Sequence, residues 1–289
     1  MITVVLNAFK RQEYLYQQIE AVLNQSVPVT KILVWNNGQS LDVDMYGDKI
    51  EIANNSANLG VWSRFSYALN AETEFVCVLD DDTIPGRRFF ENCLNCMQSQ
   101  PALLGARGLR FLSSSKYEPY ESFGWGFPNS ESQYVDIVGH AWFFKREWLG
   151  LFWRDLPELG SSRLVGEDMH FSHMLQKYSS IPTMVPPHPS DQLDLWGSLP
   201  ESGALLGTSK AAISQASGAM NKFDVALRSC VKRGFKLIKD SDPNHRKVIV
   251  LGPGLTRYKW LKRLVTFFPL LDRGLRFIQK KLISLGIYL

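Results

Sequence analysis

No run in the 289-residue chain approaches the about 18 consecutive apolar residues that a membrane-spanning helix needs. The longer apolar stretches, "FVCVL" and "FFPLL", stop far short of it. The N-terminus opens directly as a strand, "ITVVLNAF", without a basic start and an apolar core segment, so no secretory signal is expected. Internal repeats are absent. So are G-x-x-x-x-G-K-[ST] and G-x-G-x-x-G, which argues against P-loop and dinucleotide chemistry. Cysteine is scarce: Cys77, Cys93, Cys96 and Cys230 fit a reducing compartment. Cys93 and Cys96 form a lone C-x-x-C within a helical pattern. One such pair cannot complete a four-ligand zinc site, so it reads as two small buried residues one turn apart.

What is present is a 45% hydrophobic composition, enough for one large α/β domain or two small ones. The net charge of +4 is unevenly placed. Residues 255–289 hold eight Lys or Arg and one Asp, a net of +7, so the preceding 254 residues are net −3. A mildly acidic body with a strongly basic tail points to an anionic surface as a partner.

Residues 2–6 read as a strand and 12–25 as a helix, whose Leu15, Ile19, Val22 and Leu23 fall on one face. "KILVW" is a second strand, "EIANN" a third, "WSRFSYALNA" a helix and "EFVCVL" a further strand. This β-α-β-β-α-β order implies a mainly parallel sheet with helices on both faces. Residues 105–135, rich in Gly, Ser, Pro and aromatics, read as loops and short strands; "DIVGHAWFFKREWL" passes from strand to helix. In "GEDMHFSHMLQKY", Phe171, Met174, Leu175 and Tyr178 form a helical stripe, with Glu167 and Asp168 at its start, where carboxylates also suit the helix dipole. The proline-rich stretch from Pro186 to Gly207 is a long loop of the kind that covers a site.

The buried strand "FVCVL" runs into Asp80, Asp81 and Asp82. α/β sheets bind ligands at the carboxyl ends of their strands, and adjacent carboxylates tolerate one another best around a hard cation. A turn leading to Pro85-Gly86 is the plainer reading, but a turn does not need three aspartates. All-oxygen ligation favours Mg2+ or Mn2+, and Mg2+ is usually shared with substrate phosphates. Candidates for holding a nucleotide lie near the strand ends: Asn7 and Arg11, Asn36 and Asn37, Asn58 and Arg64. Arginine offers a planar fork to diphosphate, and asparagine both donates and accepts, as a uracil edge requires. Singly, each is equally a turn residue or a solvated charge; their convergence is what argues for a site. His170 and His173 read as packing or surface residues. His188 is either a further metal ligand or a loop residue, and Trp125 and Trp142 line an acceptor pocket or the core.

The ordered segments "LNAFKRQEYL", "ILVWNNG", "NSANLGVWSRFSYAL", "FVCVLDDDT", "DIVGHAWFFKREWL" and "GEDMHFSHML" resemble the motifs of GT-A-fold glycosyltransferases, most of all the exostosin-like, UDP-sugar-using branch. The resemblance covers roughly residues 2–225. It implies that Asn36 and Arg11 contact the uridine, and that Asn58 and Arg64 hold nucleotide and diphosphate. Asp80 and Asp81 then face ribose and donor sugar, Asp82 with Asp80 binds Mn2+ or Mg2+, and Asp168 lies beside the transferred sugar. Lys210 is the loose counterpart of the family's late-loop arginine. The first strand ends in Asn7-Ala8-Phe9-Lys10-Arg11 where the family more usually has Thr-Tyr-Asn-Arg. As the glycosidic bond to UDP breaks, metal and cationic side chains stabilise the diphosphate; a carboxylate such as Asp168 stabilises the anomeric carbon or deprotonates the acceptor. The branch implies retention of configuration.

In the tail, Tyr258, Leu261, Leu264, Val265 and Phe268, and then Leu271, Leu275, Ile278, Leu282 and Leu285, form apolar stripes flanked by Lys and Arg. Two basic amphipathic helices suit an interfacial anchor, or packing on the body or on a second subunit. The expected organisation is a GT-A domain over residues 1–235, a linker over 236–254 and the basic tail over 255–289. The expected protein is a cytoplasmic, metal-dependent enzyme, peripheral at the inner membrane face. It moves a sugar from a UDP donor to a glycan or lipid-linked acceptor in surface polysaccharide or glycoconjugate synthesis, with no nucleic-acid partner. A sugar-phosphate nucleotidyltransferase and a noncatalytic glycan-binding module are the alternatives.

Overall fold

The computed structural model of the chain describes residues 1–9, 12–38, 41, 44–158, 162–200, 218–241, 249–250 and 287–288. Its main sheet is built from β1 (Ile2–Ala8), β2 (Lys31–Asn36), β3 (Ile50–Asn54) and β4 (Phe75–Leu79), which pair in parallel in the order β3-β2-β1-β4. The helices between them are α1 (Leu15–Leu23) and α2 (Ser63–Tyr67), with α3 (Phe89–Ser99) following β4. Beyond β4 the sheet continues through β10 (Ala141–Lys145), antiparallel to both its neighbours, then β5 (Leu103–Leu104), β11 (Thr183–Val185) and β8 (Gln133–Tyr134). A second, antiparallel sheet sets β6 (Arg107–Phe111) between β7 (Tyr120–Gly124) and β9 (Ile137–Gly139). The helix α4 (Leu149–Phe152) leads toward α5 (Glu167–Ser179), and α6 (Ala219–Lys232) closes the described body.

Strand chemistry explains the layering. β1 is buried at every residue but Asn7, and β4 and β10 are buried along nearly their whole length, so both faces of the central sheet are covered. The chain moves one way from β1 to β2 and the other way from β3 to β4. Right-handed crossovers then put α1 and α2 on opposite faces, and the carboxyl ends of β1 and β4 flank the point where the strand order reverses. The Asp triplet follows β4 at that point.

Helix α1 begins later than its pattern predicts: residues 12–14 form a 3-10 turn before it. Its buried face is Leu15, Ile19 and Val22, joined by the polar Gln18. The main core contains a run of aromatic contacts, Phe65 stacked on Phe152 at 4.9 Å and edge-on to Trp142 at 5.6 Å. A smaller core, including Leu109, Phe111, Ile137, Met169, Leu227 and Cys230, joins the second sheet to α5 and α6. The C-x-x-C pair lies on α3 with free thiols, Cys93 buried and Cys96 half-buried, as expected of packing residues.

The chain divides into two compact units, Met1–Ile238 and Lys239–Leu289. In the second, the short strands Ile249–Val250 and Ile287–Tyr288 pair in parallel. The two amphipathic helices expected between 255 and 286 lie outside the described residues. Among the described residues no helix is long and apolar enough to cross a membrane.

Candidate active site

The turn after β4 is pinned from two sides. Asp80 N and Thr83 Oγ1 both donate to the carbonyl of His140, each at 2.9 Å. From the other side Gln18 Nε2 donates to the carbonyls of Asp80 (2.6 Å) and Thr83 (2.8 Å). A polar residue on the apolar face of α1 thus holds the Asp turn in place. His140 sits between β9 and β10 with φ of 63°, a left-handed conformation uncommon outside glycine, and this brings its ring over the turn. Its Nδ1 lies 3.4 Å from Asp82 Oδ1 and makes no hydrogen bond. One ligand atom each from Asp80, Asp82 and His140 falls within 4.8 Å of the others. Two carboxylates and an imidazole nitrogen lacking a hydrogen-bond partner suit a divalent cation, and the nitrogen favours Mn2+ over Mg2+.

Behind this cluster lies Arg64, 2% exposed, on α2. Its Nη1 pairs with Asp80 Oδ1 and its Nη2 with Glu167 Oε1 at 2.8 Å, while its guanidinium lies 4.5 Å from the centre of the Trp142 ring. Burial works against the Arg64 charge, but Asp80 and Glu167 more than offset it and hold the guanidinium protonated. One cation therefore ties the Asp turn to the start of α5. The loops meet closely to allow this. Val61 N donates to the carbonyl of Arg163 at 2.9 Å, and a Cβ at Gly60 (φ 82°) would lie 2.2 Å from that oxygen. Gly166, at φ of 97°, then turns the chain into α5.

Glu167 is buried and Asp168 half-buried. Burial, and then the adjacent Asp168, raise the proton affinity of Glu167. Burial likewise raises that of Asp168, opposed by the bond its Oδ1 accepts from Met169 N at 2.7 Å. An Asp carboxyl shifted toward neutrality is a better proton acceptor than an ordinary one.

The asparagines interlock at the ends of β2 and β3. Asn36, fully buried, donates to Asn54 Oδ1 (2.6 Å) and accepts from Gln12 Nε2 (2.8 Å) and Gly38 N (3.0 Å). Asn37 donates to Asn58 Oδ1 at 3.3 Å, and Asn58 Oδ1 also accepts from Gly60 N at 2.8 Å. Asn7 and Asp81 are half-buried, at the ends of β1 and β4. Arg11 and Lys210, both expected at the site, lie outside the described residues.

A cleft of about 380 Å3 opens beside the cluster. It is lined by Asp80, Arg64, Glu167, Asp168 and His140, by Arg107 and Tyr120 of the second sheet, by Tyr117 and Glu118 of the β6–β7 connection, by Trp125 just after β7, and by Met220 and Phe223 of α6. Trp125 and Trp142 both line it, and Trp142 is also packed in the core. Helix α6 is fastened over the β6–β7 connection by Asp224, which accepts from Tyr117 N (2.7 Å) and Lys116 Nζ (2.8 Å).

The histidines need one correction. His188 does not complete the metal shell: it is buried, its Nδ1 bonds the Pro186 carbonyl at 2.7 Å, and its Nε2 accepts from Gly197 N at 2.9 Å. The histidine at the cluster is His140. Its only sequence signal was its place in "DIVGHAW", between two short strands. His170 and His173 are both 1% exposed, and are packing residues of α5.

The family described as "Glycosyl transferase family 2" matches residues 3–153. None of the curated proteins matches the chain. Solved structures with similar folds include GalNAc-T7 with UDP, GalNAc and Mn2+, at 11% identity over 80% of this chain and 55% of that one, with a TM-score of 0.52. S. aureus TarS 1–349 in complex with UDP-GlcNAc matches at 16% identity over 64% of this chain and 56% of that one, with a TM-score of 0.45. The chain thus spans little more than half the length of these two proteins.

Proposed function

The chain belongs to glycosyl transferase family 2, and from that premise we propose that it transfers a sugar from a UDP-sugar to a hydroxyl of a glycan or lipid-linked acceptor. The observation that carries the proposal is the placement of Asp80, Asp82 and His140 at the strand-order reversal, against a cleft walled by Asp168. The joint presence of UDP, GalNAc and Mn2+ in a structure of this fold supports the choice of donor and ion.

Asp80, Asp82 and His140 would hold Mn2+ or Mg2+, which when bound supplies positive charge beside the departing diphosphate. Asn7, Asn37, Asn58 and Asp81, with Arg11 and Lys210, border the donor; Asn36 braces the turn after β2 that carries Asn37. Arg64 acts from behind, holding Asp80 and Glu167 in register. In the transfer the bond between the anomeric carbon and the UDP oxygen breaks, and the acceptor oxygen bonds that carbon and loses its proton. The exostosin-like resemblance implies retention, with Asp168 beside the anomeric carbon. In an inverting displacement Asp168 would instead take the acceptor proton. The basic tail places the enzyme at an anionic cytoplasmic membrane surface.

Release of UDP from a panel of UDP-sugars, with Mn2+ or with excess EDTA, tests this reading. Metal-dependent UDP release supports it, and NMR of the product anomer decides between inversion and retention. Pyrophosphate release from a nucleoside triphosphate and a sugar phosphate would point to a nucleotidyltransferase. Sugar binding indifferent to metal and UDP would point to a glycan-binding module.

A further inference from the structure

Among the described residues two guanidinium groups line the cleft, and only one is neutralised. Arg64 is paired with two carboxylates. Arg107, half-buried on β6, meets no carboxylate within ion-pair distance among the described residues. Its Nη2 donates to Ser122 Oγ at 3.2 Å, and its Nε is buried without a hydrogen-bond partner. Aromatic rings surround it: Phe127 at 5.3 Å, Trp125 at 5.6 Å and Tyr120 at 6.0 Å from the guanidinium carbon. Its cross-strand neighbours on both sides are glycines, Gly124 and Gly139. A Cβ at Gly139, which lines the cleft, would meet nothing within 4 Å, so there is room beside the guanidinium.

Asp80, Glu118, Glu167 and Asp168 line the same space, two of them paired with Arg64, and the Tyr117 ring lines it too. A partly desolvated cation with free donors is costly unless an anion completes it, and aromatic faces beside it suit the apolar face of a sugar ring. Among the described residues no second unpaired Lys or Arg lines the cleft. A single negative charge matches a single guanidinium.

We propose that Arg107, with Trp125 and Tyr120, forms an acceptor subsite for a singly charged oxyanion on a sugar, so that the protein selects acidic over neutral acceptors. The subsite rests on the glycosyl-transfer reading for its place in the reaction. The oxyanion is a sugar carboxylate or a phosphodiester, which offer the fork the same pair of oxygens.

The test uses the full chain and matched soluble probes, with binding read by ligand-observed NMR. The probes are p-nitrophenyl glucuronide against glucoside, galacturonide against galactoside, and a glucoside 6-(methyl phosphate) diester against the glucoside. At least one acidic member is expected to bind about tenfold or more tighter than its neutral partner. Arg107→Gln should bring the pair to equality, and Arg107→Lys, which keeps charge without the fork, should restore only part of the preference. Preference for the uronides identifies the carboxylate, and preference for the diester identifies the phosphate. Equal binding within every pair, or a preference that survives Arg107→Gln, overturns the subsite. The melting shift given by UDP with Mn2+ should be unchanged in Arg107→Gln and Arg107→Lys, which checks that both variants fold. A wild type that prefers acidic probes but gains nothing from UDP and Mn2+ would retain the subsite and lose the glycosyl-transfer reading.

Discussion

Asp168 and Arg64 both line the cleft, and their substitutions should fail differently. Asp168→Asn keeps the size of the side chain and removes its charge and basicity. If that carboxylate acts at the reacting centre, turnover should fall about 100-fold or more while UDP affinity barely changes. Steady-state kinetics beside UDP binding measures both; near-normal turnover would return Asp168 to the role of a helix-start charge. Arg64→Met should instead damage the fold. It strands the Asp80 and Glu167 carboxylates, one of them buried, and should lower stability by about 3–5 kcal/mol in urea denaturation. A loss below about 1 kcal/mol would mean that the two carboxylates do not depend on this cation. The Asp triplet was legible because the signal is local, three carboxylates after an apolar run. The Arg64–Glu167 pair was not, because its members are 103 residues apart and each alone reads as a helix-surface charge. His140 was missed for the same reason: what marks it is its distance to Asp82, not its neighbours in the chain.

At the scale of elements, period and composition carried furthest where burial is one-sided or complete. β1, β2 and β4 were readable as continuous apolar runs, and α1 as a stripe. The stripe could not show that Gln18, on the same face, anchors the Asp turn of another strand. α5 departs from its pattern more: residues 169–175 are buried all round, with His170 and His173 among them. That burial has a pH signature. Burial pushes both imidazoles down to about 4, from an ordinary value near about 6.5. Between those values the unfolded chain binds more protons than the folded one, so stability is lost as pH falls from about 6.5 toward about 4. Glu167 and Asp168 act in the opposite sense, since their raised proton affinity removes stability as pH rises through the shifted range. The difference between wild type and His170→Gln isolates the histidine. Melting scans at several pH values should show the wild type losing more Tm than the variant between pH ~6.5 and ~4.5. Parallel curves would mean that His170 is not held neutral.

At the scale of the whole molecule, the proposal gives the transfer chemistry to the unit Met1–Ile238 and proposes membrane attachment for the basic tail from 255 onward. Each basic residue near an anionic surface is worth about 1 kcal/mol, screened by salt, and apolar insertion adds a part that salt does not remove. The full chain should therefore sediment with vesicles containing phosphatidylserine at low salt, and less so at high salt. Indifference to such vesicles at low salt would assign the tail to packing or to a second subunit. The central claim is that a divalent cation held by Asp80, Asp82 and His140 joins UDP to the protein. The most direct measurement is the melting temperature of the full chain with UDP, in Mn2+ and in excess EDTA, for wild type and Asp82→Ala. UDP at about a hundred times its dissociation constant adds about 2.7 kcal/mol, an easily read shift. The account predicts that shift in wild type with Mn2+, its loss in EDTA, and its loss in Asp82→Ala, whose melting without ligand stays close to wild type. Equal stabilisation by UDP in EDTA, or an undiminished Mn2+-dependent shift in Asp82→Ala, would contradict it.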